Sequence, residues 1–274
     1  MNYYTRIFLK TQLLFLILIS SLIQAQYFGG EKDDKGVSFC EVGSALFLTG
    51  NTRSVGAGSE DVWLIKINEI FGIEYNIDWG GPYHDIPANI LGTSDNHVLV
   101  VGHSWGVLGS REGVFVTKYT TGGCVLWTSS YSGTSSDFTF GAEETNDGGY
   151  LVTGINRGEG ILGSAFLIKL NSGGVKEWVH HYDTSIKDIG RDIVEGSDLS
   201  LYLLINTGSF NSKIANSSEY QSASSGIMIV KTDQLGNEIW RKNYGEVNHD
   251  FSSKIIRGID DNFYFVGSSL NNTN

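Results

Sequence analysis

Apolar residues in this chain come in short runs that alternate with breaks of Gly, Asn, Asp and Ser, the pattern of strands joined by tight turns. The runs themselves recur. A Lys, an aromatic residue nine positions on and an Asp ten positions after that appear four times in succession: Lys66/Tyr75/Asp85, Lys118/Trp127/Asp137, Lys169/Trp178/Asp188 and Lys231/Trp240/Asp250. A fixed period of about fifty residues means one supersecondary unit stacked on copies of itself.

Cut at the repeated Asp, the units hold predicted strands A to D. The A strands are 37–41, 86–91, 138–145, 189–195 and 252–259, and the B strands are 45–49, 97–101, 150–153, 201–205 and 263–266. The C strands are 62–67, 114–119, 165–170 and 227–232, and the D strands are 73–79, 125–131, 175–182 and 238–244. The A–B breaks are short and polar, as in Asp95-Asn96, Asp147-Gly148-Gly149, Asp198-Leu199-Ser200 and Asp260-Asp261-Asn262; the C–D breaks carry Gly72, Gly122-Gly123, Gly173-Gly174 and Gly236. Such residues supply the positive φ of tight hairpins, so each unit reads as an antiparallel meander. Four-stranded meanders at this period predict an all-β fold, a β-propeller of four-stranded antiparallel blades, with a β-solenoid as the alternative.

The string Asp147-Gly-Gly-Tyr150, Gly154, Leu167-Ile168-Lys169, Gly174, Trp178, Tyr182 resembles the β-propeller repeats of large secreted bacterial proteins, over nearly all of residues 26–274. The resemblance implies the fold and says little about activity. The Gly-x-x-x-Trp element is also similar, in part, to the docking tryptophan of pyrroloquinoline-quinone propellers. That similarity implies a dehydrogenase with calcium-ligating carboxylates and a cofactor pocket, neither of which is identifiable among these residues.

About four and a half blades are present. The fifth unit has strands A and B alone, while residues 28–34 align with 244–250 and so read as the tail of a D strand. Unpaired strand edges are hazards in a β protein. The expectation is a piece of a longer propeller, or else an oligomer whose subunits complete each other; a natural product of about the 30.0 kDa of this chain would count against the first.

Residues 1–25 carry Arg6 and Lys10, an apolar run from 13 to 23 and small Ala25 at a cleavage position, the pattern of a secretory signal peptide on a run too short for a membrane anchor. Without that leader the formal charge moves from −11 to −13, since the leader holds two cations and no acid. Such a surface repels nucleic acid. With 35 Gly and 2 Pro, the composition fits many tight turns. A secreted or cell-surface location permits a disulfide, but Cys40 falls in an inner strand and Cys124 in an outer turn of the next unit, which favours two free thiols.

The B–C and D–A loops share one face. The B–C loops 51–60, 103–112 and 155–164 are long and Gly-rich, and the fourth, 209–225, is longer and holds the sequon at Asn216; a second sequon is at Asn271. Asp85, Asp137, Asp188 and Asp250 are assigned to D–A loops, either as a cation-binding ring or as acceptors for turn N–H groups and partners of the repeated lysines; one copy per blade favours structure. Lys66, Lys118, Lys169 and Lys231 follow the same logic. Trp127, Trp178 and Trp240, with Tyr75 in the same slot, are expected to fill gaps between blades. Tyr131, Tyr182, Tyr244 and Trp79 either pack likewise or form a carbohydrate-stacking surface.

Gly102-His-Ser104-Trp-Gly106 matches a nucleophile elbow in letters, but no helix signal follows it. The six His offer no metal spacing, with His180 and His181 on opposite faces of one strand. Asp260-Asp261-Asn262 lacks the length and distal Glu of an EF-hand. No catalytic, cofactor-binding or metal residues are assigned. The leading expectation is a non-catalytic binding scaffold for an unknown protein or glycan. The alternatives are a quinoprotein-like dehydrogenase, a glycan-cleaving enzyme using Glu143 or Glu144 with Glu195, and a structural spacer.

Overall fold

The computed structural model describes residues 28–70, 72–105, 112–131, 136–158, 163–184, 187–208, 226–244 and 249–270. The predicted leader, the long fourth B–C loop with Asn216, and Asn271 lie outside them. The first blade is β1 (Asp34–Val42), β2 (Ala45–Thr52), β3 (Asp61–Ile67) and β4 (Ile73–Trp79). The second is β5 (Asp85–Gly92), β6 (His97–Trp105), β7 (Glu112–Thr120) and β8 (Val125–Tyr131). The third is β9 (Asp137–Glu144), β10 (Tyr150–Asn156), β11 (Ser164–Leu170) and β12 (Lys176–Tyr182). The fourth is β13 (Asp188–Glu195), β14 (Leu201–Thr207), β15 (Gly226–Thr232) and β16 (Glu238–Tyr244), and the fifth has β17 (His249–Arg257) and β18 (Phe263–Leu270).

Each sheet pairs its strands in chain order, antiparallel throughout, so every blade is a meander. A solenoid would pair strands of successive units, and here strands of different units lie in different sheets. The A strands stand side by side: β1 touches β5, β5 touches β9, β9 touches β13 and β13 touches β17. This radial stacking on the inner strands is a β-propeller of about four and a half blades.

Burial follows from that geometry. Strands B and C are covered on both sheet faces by the blades before and after, so they are continuous apolar runs: Val98 to Val101 are fully buried, and every residue of β11 is buried. Strand D is the outer edge and alternates, with Glu74, Asn76 and Asp78 of β4 exposed between half-buried Tyr75, Ile77 and Trp79. Between blades the cores are continuous, with Leu99, Val101 and Val116 of the second meeting Tyr150, Val152 and Phe166 of the third.

The B strands run two to four residues beyond their predicted ends. Gly50, Gly102, Gly154 and Gly267 look like breaks but sit inside strands. A Cβ at each would strike a carbonyl of the paired A strand, from Lys35, Ile86, Phe138 and Phe251. The A strand bulges at that level, and only Gly lets the backbones approach. The A–B turns all place one residue in the left-handed region: Gly43, Asn96, Gly148, Leu199 and Asp261. The repeated Asp opens strand A, or lies one residue inside it for Asp250, and is not in the D–A loop as the sequence frame had it. Residues 28–33, aligned with the tail of a D strand, form no strand.

Candidate functional site

The repeated residues build the ring. Asp85 accepts the Gly81 N–H (2.6 Å) and the Ser104 hydroxyl, Asp188 accepts the Thr184 N–H and hydroxyl, and Asp34 does the same with the Gly30 N–H (2.6 Å) and Thr52 (2.5 Å). Asp137 accepts from Asn156 Nδ2 (2.5 Å). Each carboxylate thus closes the turn that enters its blade. Against the cost of burial, those bonds hold Asp34 at about 2.

The repeated lysines do not reach these aspartates. They point to the opposite face and bind the A–B turn of their own blade: Lys118 to Asp95 (2.6 Å), Lys169 to Asp147 (2.9 Å) and Lys231 to Asp198 (2.9 Å). Lys118 also reaches the Tyr150 hydroxyl of the next blade (2.8 Å). The first blade has Gly43 where the others have a turn carboxylate, and Lys66 pairs with Glu74 (2.7 Å).

The aromatic ladder joins blade to blade. Trp127 and Trp178 lie over Gly174 and Gly236 of the following C–D turn, and Tyr75 lies over Gly123. The hydroxyls of Tyr131 and Tyr182 donate to the carbonyls of Gly174 and Gly236 (2.7 Å for Tyr182). Trp79 packs edge-on against Phe115 (4.7 Å). Trp240 and Tyr244 occupy the same slots in the fourth blade, but the fifth blade has no C–D turn among the described residues, and Trp240 is 39% exposed.

The inner strands carry further charges, and Glu144 and Glu195 share one register position, opposite Tyr150 and Leu201. Glu144 accepts the Ser94 N–H (2.7 Å) and hydroxyl (3.0 Å), and Glu195 accepts the Asn146 N–H (2.7 Å); both tie an inner strand to the turn of the preceding blade. Asp192 is buried and receives the Ile255 N–H (2.9 Å) and Lys254 (3.2 Å). Glu143, half-buried, is pushed up to about 7 by burial and then by the Asp192 charge, with Lys254 opposing. Ser104 sits near the end of β6 with its hydroxyl on Asp85, and the next element among the described residues is strand β7. His103, its neighbour, is half-buried and held down at about 4 by desolvation and the Arg157 charge. Cys40 and Cys124 are free thiols.

The fifth blade presents an open site. Among the described residues strand β18 pairs with β17 alone, and no C strand lies on its other edge as in the other four sheets. Phe263 and Phe265 turn inward onto Tyr202 and Tyr244 (3.9 and 5.4 Å), while Ile256, Tyr264 and Val266 expose about half their surface on the outward face. Asp260 holds the turn position of Asp95, Asp147 and Asp198; in place of a lysine it takes Asn262 (2.7 Å) and the Tyr264 hydroxyl (2.9 Å).

No family model matches the chain, and no curated protein does. Solved structures do. Hydrazine synthase of Kuenenia stuttgartiensis is 13% identical over 89% of this chain and 76% of its own, with a TM-score of 0.54. A thermostable family-43 glycoside hydrolase is 11% identical over 84% of this chain and 83% of its own (TM-score 0.46). A glycoside-hydrolase-type protein of Parabacteroides distasonis is 11% identical over 86% and 84% (TM-score 0.46). At these identities the likeness is one of fold.

Proposed function

We propose that this propeller is a secreted interaction scaffold whose fifth blade is completed by an extended, two-stranded segment from outside the described residues, supplied by a further stretch of chain or by a partner protein. The observation that carries the reading is the open β18 edge with its three unfilled repeat positions: a turn carboxylate without its lysine, a docking tryptophan without its glycine turn, and a tyrosine without its carbonyl acceptor. An extended peptide adding to a sheet edge gains main-chain hydrogen bonds, and side-chain pockets set its specificity. The occupant these positions fit is a hairpin with the chemistry of the repeat's own C and D strands, with a lysine facing Asp260. Secretion rests on the leader pattern of residues 1–25; among the described residues no helix is long and apolar enough to cross a membrane.

The test is a synthetic hairpin of residues 164–182 titrated against the protein. Saturable binding is expected, weakened severalfold when Lys169 of the peptide becomes Ala or when the protein carries Asp260→Asn, and abolished by Trp240→Ala. Binding that ignores all three changes, or a protein that is already a dimer through β18, overturns the reading. A glycan-cleaving enzyme gains one supporting observation, the neutral-range carboxyl of Glu143. Its expected partner Glu195, and Glu144 as the alternative to Glu143, are both engaged by turn amides.

A further inference from the structure

Asp61 is where the repeat breaks its own rule. Counted back from the repeated lysine, the positions equivalent to Asp61 are Gly113, Ser164 and Gly226. They occupy the same place in the ladder, opposite Thr52, Ser104, Asn156 and Thr207 on strand B. Only the first blade puts a carboxylate there. It is fully buried, at the end of β3 where the loop 53–60 enters the strand.

The two oxygens of Asp61 have different surroundings. Oδ2 accepts the Gly58 N–H at 3.0 Å. Oδ1 is buried and has no hydrogen-bond partner. It is turned toward the second blade: a Cβ placed on Gly80 would collide with Asp61 Oδ1 and with Asp85 Oδ2 (2.7 Å) together, so the two carboxylates converge on one point between the blades. Asp85 is itself buried, with Oδ2 on the Gly81 N–H and Oδ1 on the Ser104 hydroxyl. Burial, then the charges of Asp85 and Asp78, push Asp61 above the usual carboxylate range. The nearby cation Arg53 is engaged elsewhere, by Glu60 (3.0 Å) and Asp33 (3.7 Å), and His84 also lies on Glu60 (3.1 Å). A buried charge left without a partner costs several kcal/mol, roughly, and two like charges at close range cost more. Something positive belongs between them.

The geometry points to a divalent cation site at the junction of the first two blades, with Asp61 Oδ1 and Asp85 Oδ2 as its anionic ligands. An all-oxygen donor set selects a hard ion, and the loose, two-loop setting suits Ca²⁺, which takes variable numbers of carboxylate, carbonyl and water oxygens, better than Mg²⁺, which demands a tight octahedron. Glycines at 56, 58, 80 and 81 surround the carboxylates, and a side chain at 56 or 80 would fill the space into which they point. Among the described residues no group of three or more His, Cys, Asp or Glu shares a common point, so the remaining ligands are main-chain carbonyls and water. A site with two carboxylates belongs with weak extracellular calcium modules, with a Kd on the order of 0.1–1 mM. It lies at the opposite end of the blade array from the open β18 edge and does not depend on the reading of that edge.

The experiment is thermal unfolding of the chelator-treated protein titrated with CaCl₂ and, separately, with MgCl₂. The expected result is a rise in Tm of about 3–5 °C by 10 mM Ca²⁺, with a smaller response to Mg²⁺. Asp61→Asn keeps the acceptor for the Gly58 N–H and removes one charge, so it is expected to fold at least as well as the untreated wild type and to lose the calcium response. Asp188→Asn, at the equivalent of Asp85 two blades along, lowers Tm and keeps the response. A wild type that ignores Ca²⁺ and instead gains Tm on acidification, with the gain lost in Asp61→Asn, means that the pair shares a proton, and it overturns the proposal. So does a calcium response that survives Asp61→Asn.

Discussion

Glu143 is the titrating group whose chemistry is most displaced from its ordinary state near neutral pH. Its carboxyl rises from 4.5 to about 7 because burial, Asp192 and Glu195 all oppose its charge, with Lys254 and Arg257 in partial compensation. The unfolded chain ionises this group near 4.5, while the folded chain keeps the proton until about 7. Unfolding between those values therefore releases a proton, and stability falls as pH rises through the window, then levels off above it. Glu143→Gln removes the fall. The variant is expected to match the wild type at pH 4.5 and to exceed it by about 1–3 kcal/mol at pH 8, read by urea unfolding at both values. Asp34 and Asp147, held at about 2 against the cost of burial by hydrogen bonds, act with the opposite sign and lose their contribution below this window. A variant with an unchanged pH slope between 4.5 and 7 places the charge of Glu143 in solvent.

At the scale of the element, the C–D turn sets blade spacing. Gly174 has φ +77°, and a Cβ there would come within 2.6 Å of the Trp127 ring and 2.9 Å of the Ser129 hydroxyl. Gly148, in the neighbouring A–B turn, has φ +76° and nothing within 4 Å of its Cβ position. Gly148→Ala isolates the left-handed backbone cost, about 1–2 kcal/mol. Gly174→Ala adds an inter-blade clash worth about 1–3 kcal/mol more. Denaturant midpoints separate the two: equal losses would mean that the blades slide apart without cost. The same elements show what was legible in the sequence. Strands β4 and β8 begin and end where the sequence places them, at Ile73–Trp79 and Val125–Tyr131, because an outer edge strand has one wet face and one drier face. Strands β6 and β10 overran their predicted ends, since Gly102 and Gly154 carry two meanings, turn and close approach, and only the facing A-strand carbonyl separates them. Asp61 went unread for a different reason. It closes a polar stretch, Ser59-Glu60-Asp61, and its burial arises from the second blade folding over it. The hint was present as the one carboxylate in a column of Gly and Ser.

Over the whole molecule, stability should vary along the array as it does in stacked repeats, where each unit is held by its neighbours. The third and fourth blades have four strands each and a blade on either side, and β10, β11 and β14 hold the fully buried Tyr150, Leu151, Leu167, Leu170, Leu203 and Ile205. Among the described residues the fifth blade has two strands and one neighbouring blade, and Ile256, Tyr264 and Val266 are about half exposed on their outward face. Local opening free energies track such contacts, and amide exchange reads them strand by strand. The expected order of protection is β10, β11 and β14 slowest, β6 and β7 next, β2 and β3 after them, and β17 with β18 fastest. Adding the hairpin of residues 164–182 is expected to slow β18 first, because the new hydrogen bonds form on that strand, and β17 next through its ladder with β18. Equal protection from β2 to β18 without any peptide would mean that the half-blade is already locked to the rest of the ring, leaving no energetic gap for a partner strand to fill. A graded profile that the hairpin flattens from the β18 end inward is what a half-blade completed by an added hairpin must show.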